Sequence, residues 1–186
     1  KGTAAILKEP DLEEAVMLPS VEEVSADKRL YAKASALIYH CNNAYDEKRY
    51  LQKSGNRYLC QNPAQMPLSQ TAFDDLYDLP FTYTWHPAYD EKGGVPGLEE
   101  VKFSITANRG CYGNCRFCAL AIHQGKYVQM RSRESIVREA KRMIKDPDFK
   151  GYIHDIGGPT ANFSHKACKK QETHGYCKNR ECLFPE

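Results

Sequence analysis

The sequence predicts an α/β protein, and three observations carry that expectation. Residues 101–156 run strand, loop, helix, strand, the order of a βαβ unit, and such units build parallel sheets. Ahead of them lies a stretch whose signals are mostly helical, with one short strand. Between the two, residues 80–100 hold Pro80, Pro87, Pro96 and the pair Gly93-Gly94, the best linker in the chain. A domain boundary there gives an N-terminal α+β extension over 1–100 and a second domain over 101–186.

Taken in order, residues 1–24 are acidic and interrupted by Pro10 and Pro19, which predicts a loose lead-in with a short helical piece around 11–17. Ser25 is placed to cap the next helix, along which Leu30, Tyr31, Ala34, Leu37, Ile38 and Cys41 recur at helical spacing. Cys41 reads as a small core residue on that face. Residues 57–60, between Gly55-Asn56 and Asn62-Pro63, read as a short strand, so Cys60 is assigned to packing as well. Ser69 or Thr71 starts a short helix through Leu79, and Pro80 ends it.

Past the linker, residues 101–107 (VKFSITA) read as a strand and 108–129 as a loop rich in cysteine and glycine. Ser132 opens a helix with Glu134 in its first turn, where the macrodipole favours a negative charge. Ile136, Val137, Ala140, Met143 and Ile144 form its apolar stripe, and Asp146-Pro147 ends it. Residues 151–156 read as a second strand, with His154 a structural residue within it, leading into Gly157-Gly158-Pro159-Thr160.

Composition narrows the class. Hydrophobic residues at 41% and charged residues at 27% suit a globular chain, and 186 residues allow one substantial core or two small ones. A net charge of +2 carries no general basic footprint for nucleic acid. Eight cysteines exceed what packing needs, yet the N-terminus has no secretory pattern and no apolar stretch approaches the roughly 20 residues of a membrane span. The thiols are therefore expected in a reducing, cytoplasmic compartment, where they bind metal or do chemistry. The chain opens Lys1-Gly2 without methionine and stops at Phe184-Pro185-Glu186, which reads as an excerpt truncated at the C-terminus and inactive by itself.

The chemistry concentrates in Cys111-Tyr-Gly-Asn-Cys115-Arg-Phe-Cys118. Three thiolates within eight residues suit zinc or an iron–sulfur cluster. Zinc sites usually pair their cysteines locally and find the other pair far along the chain. Here the local set stops at three, so one iron of a cubane would keep an open position, as a catalytic site requires. Gly110 and Gly113 let the backbone turn tightly around such a cluster.

This pattern resembles the radical S-adenosylmethionine (SAM) superfamily, whose motif is Cys-x3-Cys-x-aromatic-Cys, with Phe117 in the aromatic position. The resemblance implies a [4Fe–4S] cluster on Cys111, Cys115 and Cys118, with SAM chelating the unique iron by its amino and carboxylate groups. Reductive cleavage would yield a 5′-deoxyadenosyl radical that abstracts hydrogen from a substrate, with electrons from a separate donor. Gly157-Gly158 occupies the place of a Gly-Gly-Glu-like motif whose backbone binds the SAM amino group, although Pro159 replaces the acidic residue. Closer still, NRGCYGNCRFCALAIHQGK (108–126), RSRESI (131–136), GYIHDIGGPTANF (151–163), RYLCQNP (57–63) and DLYDLP (75–80) resemble the bacterial YgiQ-like family, whose substrate is not established. The fold implied is the start of a partial (βα) TIM-like barrel, with chemistry at the C-terminal ends of strands. Catalytic residues are not identified.

Weaker signals remain. Cys168, Cys177 and Cys182, with His165 and His174 each three residues before a cysteine, form a candidate second metal site, iron–sulfur or zinc, against free thiols. His123-Gln124-Gly125-Lys126 either lines the active site or forms a loop turned by Gly125 and held by His123. The basic run 166–178 reads as a solvated loop. Two other classes stay open: a structural zinc protein contacting RNA through that run, and a thiol–disulfide protein using Cys115-Arg-Phe-Cys118. Against the latter, Cys111 alongside makes a metal the better owner.

Overall fold

The computed structural model describes residues 1–13, 15–41, 43–46, 48–113, 115–158, 161, 163, 168–177 and 182, and the side chains of all of these except His40 and Cys41. The core role expected for Cys41, and the expectations on Pro159 and His165, lie outside the described residues. The architecture is mixed α/β with small sheets, divided into two compact units. The first comprises Lys1–Pro67, Tyr112–Tyr127 and Ala167–Glu186, and the second Leu68–Cys111 and Val128–Lys166.

In the first unit, β1 (Ala4–Leu7), β2 (Ala15–Leu18), β3 (Arg49–Ser54) and β4 (Arg57–Gln61) form one sheet in the order β1-β4-β3-β2. The expected loose lead-in is thus two strands. Strand β1 pairs antiparallel with β4, and β2 pairs parallel with β3, so the ordering partners lie 34 residues or more downstream, where local pattern cannot reveal them. Gly55, at φ +56, turns β3 into β4. Leu51 is fully buried and faces Cys60, 3% exposed, across the hairpin, so Cys60 packs as expected.

Two helices join β2 to β3: α1 (Val21–Ala26) and α2 (Lys28–Cys41). Ser20 caps α1, accepting from the Glu23 amide at 3.2 Å while the Glu23 carboxylate accepts from the Ser20 amide at 2.7 Å. Directly before α2, the helix that Ser25 is expected to cap, stands Asp27, whose carboxylate accepts from the Arg29 amide at 2.7 Å. Ser25 lies inside α1, where its hydroxyl donates to the Val21 carbonyl at 2.7 Å. On α2, Ala34 is buried and Tyr31 is exposed, so the apolar stripe is narrower than its sequence spacing implies.

The second unit holds α3 (Gln70–Tyr77), β5 (Ser104–Thr106), β6 (Asn108–Arg109), β7 (Gln129–Met130), α5 (Arg133–Met143) and β8 (Asp155–Gly157); α4 (Leu120–Gln124) and α6 (Gln171–His174) belong to the first. Ser69 caps α3 and Ser132 caps α5, with Glu134 in the first turn. Strands β5 and β8 pair in parallel across α5, the strand–helix–strand unit that the sequence predicts. Both are shorter than expected: 101–103 and 151–154 turn, and His154 lies before β8, its amide donating to the Phe103 carbonyl at 2.9 Å. The core is Phe103, Ile105 and Met143, with Ile136, Ala140, Phe149 and Ile153 packed against it.

The apolar stripe of α5 needs correction. Val137 and Ile144 are 42% and 58% exposed, whereas Ser135 and Glu139 are buried. A guanidinium accounts for this. Arg131, 4% exposed, donates to Ser135 Oγ, to the Thr106 carbonyl at 2.9 Å and, through a short ion pair, to Glu139. Its guanidinium carbon also lies 4.1 Å from the centroid of the Tyr77 ring.

Helices α3 and α5 are clasped at the surface by Asp78, which accepts from Arg138 at 2.8 Å. That hydrogen bond, ahead of the charges of Arg138 and Arg142, holds the Asp78 carboxyl below its ordinary value of 3.8. A depressed folded pKa stabilises above the unfolded value and is lost as pH falls through the folded one. The melting-temperature advantage of the wild type over Asp78→Asn should therefore be present at pH 7 and shrink below pH 3.8. An advantage equal at both ends of the range refutes it.

Candidate functional site

The site starts where β5 gives way to β6. Ala107 joins three segments of the second unit: its amide donates to the Gly157 carbonyl at 2.7 Å, and its carbonyl accepts from the Arg131 amide at 2.9 Å. Asn108 follows, in register with Met130 of β7. Gly110 then takes φ +93, a left-handed turn that a Cβ would strain, and delivers the chain into Cys111.

Cys111 is buried, Cys115 exposed and Cys118 half-buried. A backbone turn joins the latter two, with the Cys118 amide donating to the Cys115 carbonyl at 3.0 Å. Cys111 ends a segment of the second unit, while Cys115 and Cys118 belong to the first. Among the described residues no group of three or more His, Cys, Asp or Glu side chains is already gathered around a metal position. Phe117 is 94% exposed, an unusual setting for a large apolar ring. After the motif, α4 carries His123, exposed, and ends at Gly125 with φ +86, the turn that the sequence predicts. His123 lies on a cleft of about 290 Å³ with Asp46, Lys48, Tyr50 and Asn62. Lys126 rests over the rings of Tyr39 and Tyr176, 3.5 and 4.7 Å from their centroids.

Gly157 is buried as the last residue of β8, and Gly158 follows it. A Cβ on Gly158 would stand 2.9 Å from Asn108 Cγ, so only glycine fits against that amide. Asn108 is fully buried, and neither its Nδ2 nor its Oδ1 has a hydrogen-bond partner among the described residues. Buried amides are rarely left so, because the lost hydration is not replaced.

The donor chemistry suits an iron–sulfur cluster, since three cysteine sulfurs are soft ligands of the kind iron takes; in the second unit, the orphaned amide beside Gly158 offers polar capacity that the described residues do not use. By contrast, the larger cleft in the second unit, about 620 Å³ and lined by Lys102, Phe103, Asp148, Tyr152 and His154, opens at the N-terminal ends of β5 and β8. Parallel units place chemistry at the other end.

The second cysteine group flanks α6 in the first unit. Cys168 and Cys177 are exposed, and Cys182 accepts from Gln171 Nε2 at 3.6 Å. Burial pushes the Cys182 thiol up, and the neighbouring Cys168 and Cys177 push it the same way. His174 Nδ1 is 2.6 Å from the Thr173 hydroxyl.

Two residues escaped sequence reading. Asn108 has a visible signal, since asparagine is depleted in strands and here follows one directly. Arg131 has none, because a basic residue before a helix cap ordinarily faces water.

Residues 1–104 match the family model described as Radical SAM N-terminal, which stops just before the cysteines. A UPF0313 protein of Clostridium botulinum type A is 52% identical over 187 residues, covering 100% of this chain and 29% of that protein. A UPF0313 protein of Clostridium perfringens type A is 50% identical over 173 residues, covering 93% of this chain and 26% of that protein. The chain therefore spans less than a third of the length of these relatives. No solved structure matches it.

Proposed function

The chain belongs to the Radical SAM N-terminal family, and from that premise we propose that it forms the cluster-binding part of a radical SAM enzyme. The observation that carries the reading is the spacing Cys-x3-Cys-x-Phe-Cys of Cys111, Cys115 and Cys118 in such a chain. When bound, a reduced [4Fe–4S] cluster and SAM supply a 5′-deoxyadenosyl radical for hydrogen abstraction.

The chain's own residues have simpler tasks. The three thiolates hold three irons and leave the fourth without a protein ligand. Gly110 turns the backbone into the first of them. The main chain at Gly157 and Gly158 receives the SAM amino group, and Phe117 covers the cofactor's apolar surface. In this reading residues 1–100 are an extension and 101–186 begin a partial (βα) barrel, with the parallel β5–β8 pair as supporting geometry. Cys168, Cys177 and Cys182 form a second metal-binding set. Among the described residues no helix is long and apolar enough to cross a membrane, and we place the protein in the cytoplasm, where the thiols stay reduced and a reductant is at hand.

The test is anaerobic reconstitution of the full-length protein with iron and sulfide, reduction, and analysis of SAM products. 5′-Deoxyadenosine and methionine are expected. Zinc in place of iron with SAM left intact would reverse the reading to a structural zinc protein.

A further inference from the structure

The Asn108 side chain has every mark of a group waiting for a ligand. It is fully buried, both of its polar atoms lack partners among the described residues, and its amide packs on Gly158, which has no Cβ to crowd it. Leaving an amide dry and unpartnered is unfavourable for folding, so a purely structural position would favour an apolar residue of the same shape. Local rules broken without structural gain point to function. Its place in the fold says which function: it stands after β5, three residues before Cys111, and against the glycine that follows β8.

We propose that Asn108 is a binding residue for the amino-acid end of S-adenosylmethionine, Oδ1 accepting from an amino N–H and Nδ2 donating to the carboxylate. The inference rests on the reading above that this chain binds SAM. The asparagine amide carries its acceptor and its donors on separate atoms, so it can meet an amino group and a carboxylate at the same time. Hydrogen bonds to charged groups are stronger than neutral ones, so the ligand restores more than the buried amide lost.

The experiment uses the full-length protein, reconstituted without oxygen, in wild-type, Asn108→Leu and Gly158→Ala forms. Binding is measured by equilibrium dialysis with two probes: SAM, and 5′-methylthioadenosine, which keeps the nucleoside and lacks the amino acid. Iron content and apo-protein melting temperature are read alongside. Asn108→Leu should weaken SAM binding about tenfold or more, leave methylthioadenosine binding and iron content unchanged, and keep or raise the melting temperature. Gly158→Ala, whose methyl displaces the amide, should weaken SAM binding in the same selective way. Unchanged SAM binding in Asn108→Leu overturns the proposal. So does an equal loss for both probes, which would put the contact on the nucleoside, or a lowered melting temperature, which would make the residue structural. A wild type that binds its iron but no SAM fails the functional reading instead, and the two failures are thereby told apart.

Discussion

Alanine in place of Cys111, Cys115 or Cys118 is expected to abolish the reconstituted cluster, whereas Cys60→Ala keeps it. A cubane held by only three thiolates has no spare protein ligand, so losing one leaves two irons without protein support and the cluster is released. Cys60 does different work: at 3% exposure it packs between Ala5 and Leu51 of the neighbouring strands, and its removal loosens a sheet without touching a metal. Iron and sulfide analysis should read about four irons per chain in the wild type and in Cys60→Ala, and close to none from this site in the other three. Metal that persists in the Cys111→Ala protein is assigned to Cys168, Cys177 and Cys182, and must vanish when those three are also replaced. Equal iron in all four single variants would remove these cysteines as ligands.

The cysteine motif is legible because it is written in spacing, which survives whatever the backbone does around it. The same holds for Ser69 and Ser132, whose caps depend on the next three residues alone. Legibility ends where a partner lies far along the chain. Ala15–Leu18 looks helical by itself and becomes a strand because residues 49–52 pair with it. The Ser25 cap failed for a subtler reason: Ser25 is taken into α1, and Asp27, directly before α2, accepts from the Arg29 amide instead.

The site shows the same division. Gly157 and Gly158 are visible in sequence as a turn after a strand, but the reason for the second glycine is the Asn108 amide fifty residues earlier. On α5, periodicity counts Val137 as core and Glu139 as surface; the structure reverses both, because Arg131 has claimed the inner face. Hydrophobic pattern cannot foresee a buried ion pair, whose members both look like solvent-facing charges.

That ion pair gives the largest expected stability effect. Arg131 and Glu139 have side chains 0% and 6% exposed, and the guanidinium also satisfies Ser135 Oγ and the Thr106 carbonyl at the end of β5. Arg131→Ala would leave the Glu139 carboxylate buried with only the Tyr83 hydroxyl, 3.4 Å away, as an identified hydrogen-bond donor. Breaking such a pair from one side costs about 3–5 kcal/mol, a drop in melting temperature of roughly 6–20 °C for a chain of this size. Arg131→Lys should recover little, since an ammonium cannot span Ser135, Thr106 and Glu139 with one planar fork. Replacing both members, Arg131→Met with Glu139→Leu, removes the uncompensated charge and should return most of the loss. Thermal unfolding of the four proteins decides it. If the double replacement is as unstable as Arg131→Ala, the penalty is lost packing and not a stranded carboxylate, and the electrostatic account of α5 is wrong.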